Sequence, residues 1–169
     1  MLEKVLHADE AALLWIRARR KPLLVQLMRS FTKMGDGSTW FMVGLFSWAA
    51  GRTDCMLHLV FAVSLGSGLA AVLKRVCRRP RPNAAIEGFE ALAKNPDQFS
   101  FPSGHTATAV AVAFSMAGLG SGMALAAGLV AACVSCSRIY LGAHYPLDVV
   151  AGAFIGMVAG VSANLALPV

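Results

Sequence analysis

The stretch SRIYLGAHYPLD at 137–148 sets Arg138, His144 and Asp148 among apolar residues near the C-terminal end of the chain. Two more polar islands interrupt apolar sequence, KRVCRRPRP at 74–82 and FPSGHT at 101–106. Together they hold Lys74, Arg75, Arg78, Arg79, Arg81 and Arg138 beside His105 and His144, with Asp148 nearby. Fixed cations with little local acid make an anion site, and guanidinium groups meet phosphate oxygens two at a time. The PSG turn ahead of a helix, Ser103 and Gly104, adds backbone N–H groups at a positive helix end. Both histidines titrate near neutral pH and can act as acid, base or nucleophile. Asp148 follows His144 by four residues and shares its face if that turn is helical. There it could accept an imidazole N–H, fix the tautomer and leave the other nitrogen free to attack.

The elements that must position these groups are built for lipid. Of the 169 residues, 57% are hydrophobic and 14% charged, against roughly 45–50% and about 25% in soluble domains. The length suits one domain, 1–169. Residues 1–33 are periodic and charged, and the RARRK cluster at 17–21 would sit mid-span in a crossing helix, at a cost of several kcal/mol. They read as one or two amphipathic helices in the membrane interface, broken near Pro22. The first residues mix acids and bases and lack the apolar run of a signal peptide. MGDGSTW at 34–40 is a turn in which Asp36 or Ser38 can cap the next helix.

Segment 39–50 is short for a span, whereas 55–73 fits a hydrocarbon core of about 30 Å. His58 within the latter reads as an interfacial or packed histidine. The polar stretch 83–101 is a loop on the face that carries the islands. Between Thr106 and Ser137 no charged residue or histidine occurs, and GLGSG at 118–122 divides that run into two helices. The last span, 147–167, carries Gly152, Gly156 and Gly160 at every fourth position, a smooth face for close packing. The expected fold is therefore an all-α membrane bundle of about five spans, or six if the N-terminal region crosses. Alternating crossings bring the three islands to one membrane face.

Other function classes fit less well. The net charge of +6 and pI of about 9.6 admit a nucleic-acid binder, but that needs a soluble basic surface, and no such motif occurs. One Asp and two His could ligate a metal, yet a ring of arginines repels a cation, so no metal and no cofactor are expected. Cys133 and Cys136 form a CxxC on a helix read as buried, with no second pair, and Cys55 and Cys77 add no disulfide framework. Arg75, Arg78 and Arg79 read equally as headgroup anchors or site residues.

The islands resemble the three-part signature of the type 2 phosphatidic acid phosphatases, whose pocket is shared with vanadium haloperoxidases. They read Lys74-RVCRRP-Arg81-Pro82, then Pro102-Ser103-Gly104-His105, then Ser137-Arg138-IYLGA-His144-YPL-Asp148. The resemblance implies that His144 attacks phosphorus and becomes phosphohistidine, oriented by Asp148, while His105 protonates the departing oxygen. It implies that Lys74, Arg81 and Arg138 hold the phosphoryl oxygens with Ser103 and the Gly104 N–H, without metal. Haloperoxidases are normally soluble, which the hydrophobicity opposes.

The resemblance implies a lipid phosphate substrate in a bacterial inner membrane, with undecaprenyl diphosphate favoured by the short chain and short loop. Phosphatidylglycerol phosphate, phosphatidic acid and a polyprenyl sugar phosphate are the alternatives. A membrane protein that binds lipid phosphates without turnover is the reading outside enzymes. Membrane lipids are the expected surroundings, and nothing implies a protein partner. If 1–33 does not cross, every Lys and Arg but Arg52 lies on the active-site face. The positive-inside rule then favours the cytoplasm, whereas relatives that handle envelope lipids favour the outer face. The sequence leaves the side open.

Overall fold

Proline and glycine punctuate a chain that is otherwise helical. The structure is a computed structural model that describes residues 1–93 and 97–167, Leu2 by its backbone alone; residues 94–96 of the expected 83–101 loop, and 168–169, lie outside the described residues. The helices are α1 (Leu2–Arg17), α2 (Pro22–Lys33), α3 (Gly37–Ala49), α4 (Thr53–Cys77), α5 (Pro82–Ala85), α6 (Gly104–Ala117), α7 (Ser121–Tyr140) and α8 (Pro146–Ala166). Among the described residues there is no strand beyond an isolated bridge of Pro80 with Phe99. Pro22, Pro82 and Pro146 each open a helix, where a missing N–H costs nothing. Helix α4 ends where Arg78 turns left-handed, φ 47°, its N–H donating to the Lys74 carbonyl.

Helix α6 is the axis of the bundle and packs against α4, α7 and α8. Its small residues let neighbours approach on nearly every side, with Ala107, Ala109 and Ala111 fully buried. The glycine stripe of α8 faces it: a Cβ on Gly152 would lie 2.5 Å from the Ser103 carbonyl oxygen, and one on Gly156 would lie 2.5 Å from that of Ala107. In lipid, where apolar burial between helices gains little, such close van der Waals contact holds helices together. A polar tie joins α4 to α6, with His58 Nδ1 3.0 Å from Ser115 Oγ. His58 is thus a packed histidine. Trp40, Leu59, Val112 and Val134 fill the space between α3, α4, α6 and α7.

Three of the described helices, α4, α7 and α8, are long and apolar enough to cross a membrane. With 13 and 14 residues, α3 and α6 are shorter than the ~20 a lone span needs. Helices α1 and α2 break at Pro22 as the sequence suggests, but RARRK forms a clamp at their elbow. Arg17 donates to the Gly88 carbonyl (2.8 Å), Arg20 Nε donates to that of Tyr140 (2.7 Å), and the Lys21 N–H donates to the Tyr140 hydroxyl (2.8 Å). Leu13 is buried with Phe89 and Tyr145, so α1 lies across the loop and the α7–α8 turn. Cys133 is half-buried and Cys136 exposed, a correction to the buried helix face expected for the CxxC; α7 turns Ala131, Val134 and Arg138 inward instead.

The α6–α8 contact makes a sharp test. Gly156→Ala pushes a methyl against the α6 backbone and should cost about 1–3 kcal/mol, lowering the thermal midpoint in detergent. Gly128→Ala, where a Cβ meets nothing within 4 Å, should leave the midpoint unchanged or raise it. Equal midpoints for the two variants would contradict the packing described.

Candidate active site

Each polar island ends up where a helix starts or stops. Lys74 sits in the last turn of α4, and Arg81 just before α5. His105 lies in the first turn of α6, Arg138 in the last turn of α7, and Asp148 in the first turn of α8. Lys74, Arg81, Gly104, His105, Arg138 and His144 line one cavity of about 290 Å³. Ser103 and Asp148 do not line it. The Ser103 hydroxyl faces α6 and accepts from Thr106 N (3.4 Å) and Oγ1 (3.0 Å), capping that helix.

His144 belongs to the turn before α8, so the conditional helical relation to Asp148 does not hold. The turn brings them close in another way. Asp148 Oδ2 accepts the Tyr145 N–H at 2.9 Å and stands 3.5 Å from His144 Nδ1, beyond ordinary hydrogen-bond length. Nδ1 accordingly has no hydrogen-bond partner. On the other side of the ring, Nε2 is 3.4 Å from Arg81 Nη1. An arginine can only donate, so the tautomer with the lone pair on Nε2 and the proton on Nδ1, the side of Asp148, suits both neighbours. His144 is 1% exposed. Burial, against the pull of Asp148 and helped by Arg138 and Arg81, pushes its pKa from 6.5 down to about 4. The ring is therefore neutral near pH 7, as a nucleophile must be.

The cations are not alone, which corrects the expectation of little local acid. Asp97 bridges two of them: Lys74 Nζ donates to Oδ2 at 2.6 Å, and Arg81 Nη2 donates to Oδ1. Partial burial works against its charge, but Lys74 and Arg81 outweigh that and hold Asp97 below the ordinary carboxylate range. Arg81 also donates to the carbonyls of Asp97 (2.9 Å) and Ala143 (2.8 Å), and Arg138 donates to Thr32 Oγ1 at 2.6 Å. Asp36 precedes α3 but makes no side-chain cap; its carboxylate lies 2.9 Å from His105 Nε2. Arg79 donates to Asp148 Oδ1 (2.9 Å) and to Asp9 Oδ2 (2.7 Å). Sequence reasoning singled out none of Asp9, Thr32 or Asp97 and left Arg79 undecided. Among the described residues, no group of three His, Cys, Asp or Glu side chains could hold a metal ion.

A helical bundle with a buried cationic cavity and two histidines at one end defines the class of protein to which comparison leads. A family model, the PAP2 superfamily, matches residues 56–167, and the chain belongs to that family. A decaprenylphosphoryl-5-phosphoribose phosphatase of Mycobacterium tuberculosis is 40% identical over 95 residues, 54% of this chain and 50% of the relative. An undecaprenyl-diphosphatase of Sulfolobus acidocaldarius is 30% identical over 132 residues, 77% of this chain and 64% of the relative. The chain thus matches about half the length of the mycobacterial relative. Among solved structures, Aquifex aeolicus LpxE superposes with TM-score 0.80 and 31% identity, covering 90% of this chain and 92% of that one. A PAP2 type phosphatidylglycerolphosphate phosphatase from Bacillus subtilis gives TM-score 0.80 at 27% identity, covering 95% and 85%. The apolar helices and these membrane relatives point to an integral membrane protein.

The burial of His144 has a measurable consequence. In the folded protein labelled with [15N]histidine, its imidazole should stay neutral down to about pH 5 and titrate near 4. The unfolded chain takes up that proton first as pH falls, so His144 should erode stability progressively from about pH 6.5 to 4. A His144 midpoint near 6.5 would mean that the ring is solvated.

Proposed function

We propose that this protein is an integral membrane phosphatase that removes phosphate from a lipid phosphate through a phosphohistidine at His144. The supporting observation is the junction of two cavities. The cationic cavity shares Gly37 and Val63 with an apolar groove of about 320 Å³ between α3 and α4, lined by Trp40, Phe41, Leu45, Trp48, Met56 and Val60. A phosphate on a hydrocarbon tail matches that pairing, with the headgroup among Lys74, Arg81 and Arg138 and the tail along the groove.

In the reaction, His144 Nε2 attacks phosphorus and the bond from phosphorus to the lipid oxygen breaks. His105 supplies that oxygen's proton, and Asp148 stabilises the ring as it becomes positive. Water then cleaves the phosphorus–nitrogen bond and inorganic phosphate leaves. Lys74, Arg81, Arg138 and the Gly104 N–H stabilise charge on the transferring group, while Ser103 holds the turn that presents Gly104. The bundle is completed by α3 and α6 alongside the three long helices, five crossings in all, in a bacterial inner membrane. The N-terminal pair α1–α2 rests on the active-site end.

A polyprenyl phosphate is the favoured substrate class, with undecaprenyl diphosphate first. The names of the mycobacterial and archaeal relatives, both polyprenyl phosphatases, support the class, and the first of them keeps a polyprenyl sugar phosphate in view. Detergent-purified protein should release phosphate from undecaprenyl diphosphate or a decaprenyl sugar phosphate faster than from phosphatidylglycerol phosphate or phosphatidic acid. Release should be insensitive to EDTA and blocked by vanadate. His144→Ala should abolish it, and His105→Ala should lower it by about 10²–10⁴-fold. Acid-labile phosphate should be trapped on the wild type and not on His144→Ala. Turnover by His144→Ala would remove the mechanism, and silence across the panel would favour a binding protein.

A further inference from the structure

Asp148 is 0% exposed, and a buried carboxylate must find donors for its oxygens. Those donors fix where it points, and so how closely it addresses His144. The Tyr145 N–H, part of its own helix start, holds Oδ2. Arg79, at a variable position within the first signature segment, holds Oδ1.

Arg79 is itself held on three sides. One Nη donates to Asp148 and the other to Asp9, and the guanidinium lies over the Tyr145 ring, 3.8 Å from its centroid. Asp9 comes from α1, and its side chain is 1% exposed. Its second oxygen, Oδ1, accepts the Leu147 N–H at 2.8 Å. That N–H belongs to the first turn of α8, where backbone donors lack helical partners. Asp9 therefore grips both ends of the Asp148 environment, the arginine on its carboxylate and the helix turn that carries it.

Charge balance gives Asp9 a second effect. Arg79 with Asp148 alone would be a neutral pair offering little to a cation forming on His144. With Asp9 the cluster keeps one net negative charge facing Nδ1. We propose that Asp9 and Arg79 are positioning residues for the nucleophile, so that helix α1 is a working part of the active site. This rests on the phosphatase reading above. Neither residue touches the substrate; both act through Asp148 on His144.

The test uses the full-length protein in detergent. Asp9→Asn keeps the shape and removes the charge, and it should lower kcat by tenfold or more with KM unchanged. Arg79→Lys keeps a charge but cannot bridge two carboxylates, and it should do the same. The double variant should lose no more than the worse single one, because the two act as one unit. Asp9→Glu should recover part of the loss. The Nδ1 resonance of His144 should move in Asp9→Asn, a readout that needs no turnover. If Asp9→Asn does not fold, Arg79→Lys carries both measurements.

Wild-type kcat with an unmoved His144 resonance overturns the proposal, as do fully additive losses or a loss confined to KM. An inactive wild type whose His144 resonance still moves in Asp9→Asn overturns the phosphatase reading and leaves the positioning role standing.

Discussion

The dominant constraint is the burial of like charges. Lys74, Arg81 and Arg138 come from three different helix ends to one cavity, and Arg138 is 1% exposed. Taking such groups out of water costs several kcal/mol each unless counter-charges or acceptors meet them. The chain meets this with aspartates and backbone carbonyls drawn from far away: Asp97 and two carbonyls on Arg81, Thr32 on Arg138, and Asp9 with Asp148 on Arg79. Helices α1 and α2 and the loop before α6 are where they are because those acceptors have to arrive there. Of the groups that neutralise or solvate the cluster, Asp9 and Thr32 lie within residues 1–33, which the sequence assigned only to the membrane surface.

Rigidity of the helix pair that carries the site complements this. Small residues on α6 and glycines on α8 bring two backbones into contact, and the helix with His105 in its first turn is thereby fixed to the helix with Asp148 in its first turn. The Ser103 N–H donates to the Asp148 carbonyl at 2.9 Å, so the two helix starts are tied directly. A site assembled from helix termini needs this, because a sliding helix would carry its catalytic group with it. The Asn164 donation to the Phe114 carbonyl (2.9 Å) adds to the α8 contact, and the His58–Ser115 tie holds α6 from the α4 side.

What was legible in the sequence follows the same division. The polar islands stood out because charge is rare in apolar sequence, and their convergence followed from counting crossings. The glycine stripe was legible because its period matches a helix face. The acids were not. Asp36 reads as a helix cap, Asp97 as one of several polar loop residues, and Asp9 as one charge on an amphipathic helix, since nothing local marks a partner 69, 23 or 70 residues away. Arg79 could not be told from Arg75 and Arg78 by type or spacing; only the left-handed turn at Arg78 separates them, aiming Arg79 inward. The helical premise for His144 and Asp148 failed because Pro146 starts α8 between them, and a proline is at home at a helix start but not within one.

The four acids differ in a way that bears on the proposed reaction. Asp9 and Asp148 have side chains 1% and 0% exposed, whereas those of Asp36 and Asp97 are 48% and 41% exposed. The buried pair is joined through Arg79, with Asp148 beside His144 and Asp9 on the far side of the arginine. Of the exposed pair, Asp97 lines the cavity and Asp36 contacts His105, which also lines it. Asp97 engages Lys74 and Arg81 as a phosphoryl group would, and Asp36 engages His105 Nε2 where a leaving oxygen would accept its proton. The apolar groove and the cationic cavity meet at Gly37, one residue after Asp36, and His144 lines the cavity from the α7–α8 turn. In the proposed reaction a phosphate would take the place of Asp97 on Lys74 and Arg81, cations that the fold already holds together. Such preorganisation is what makes fixed charges effective at the moment of reaction.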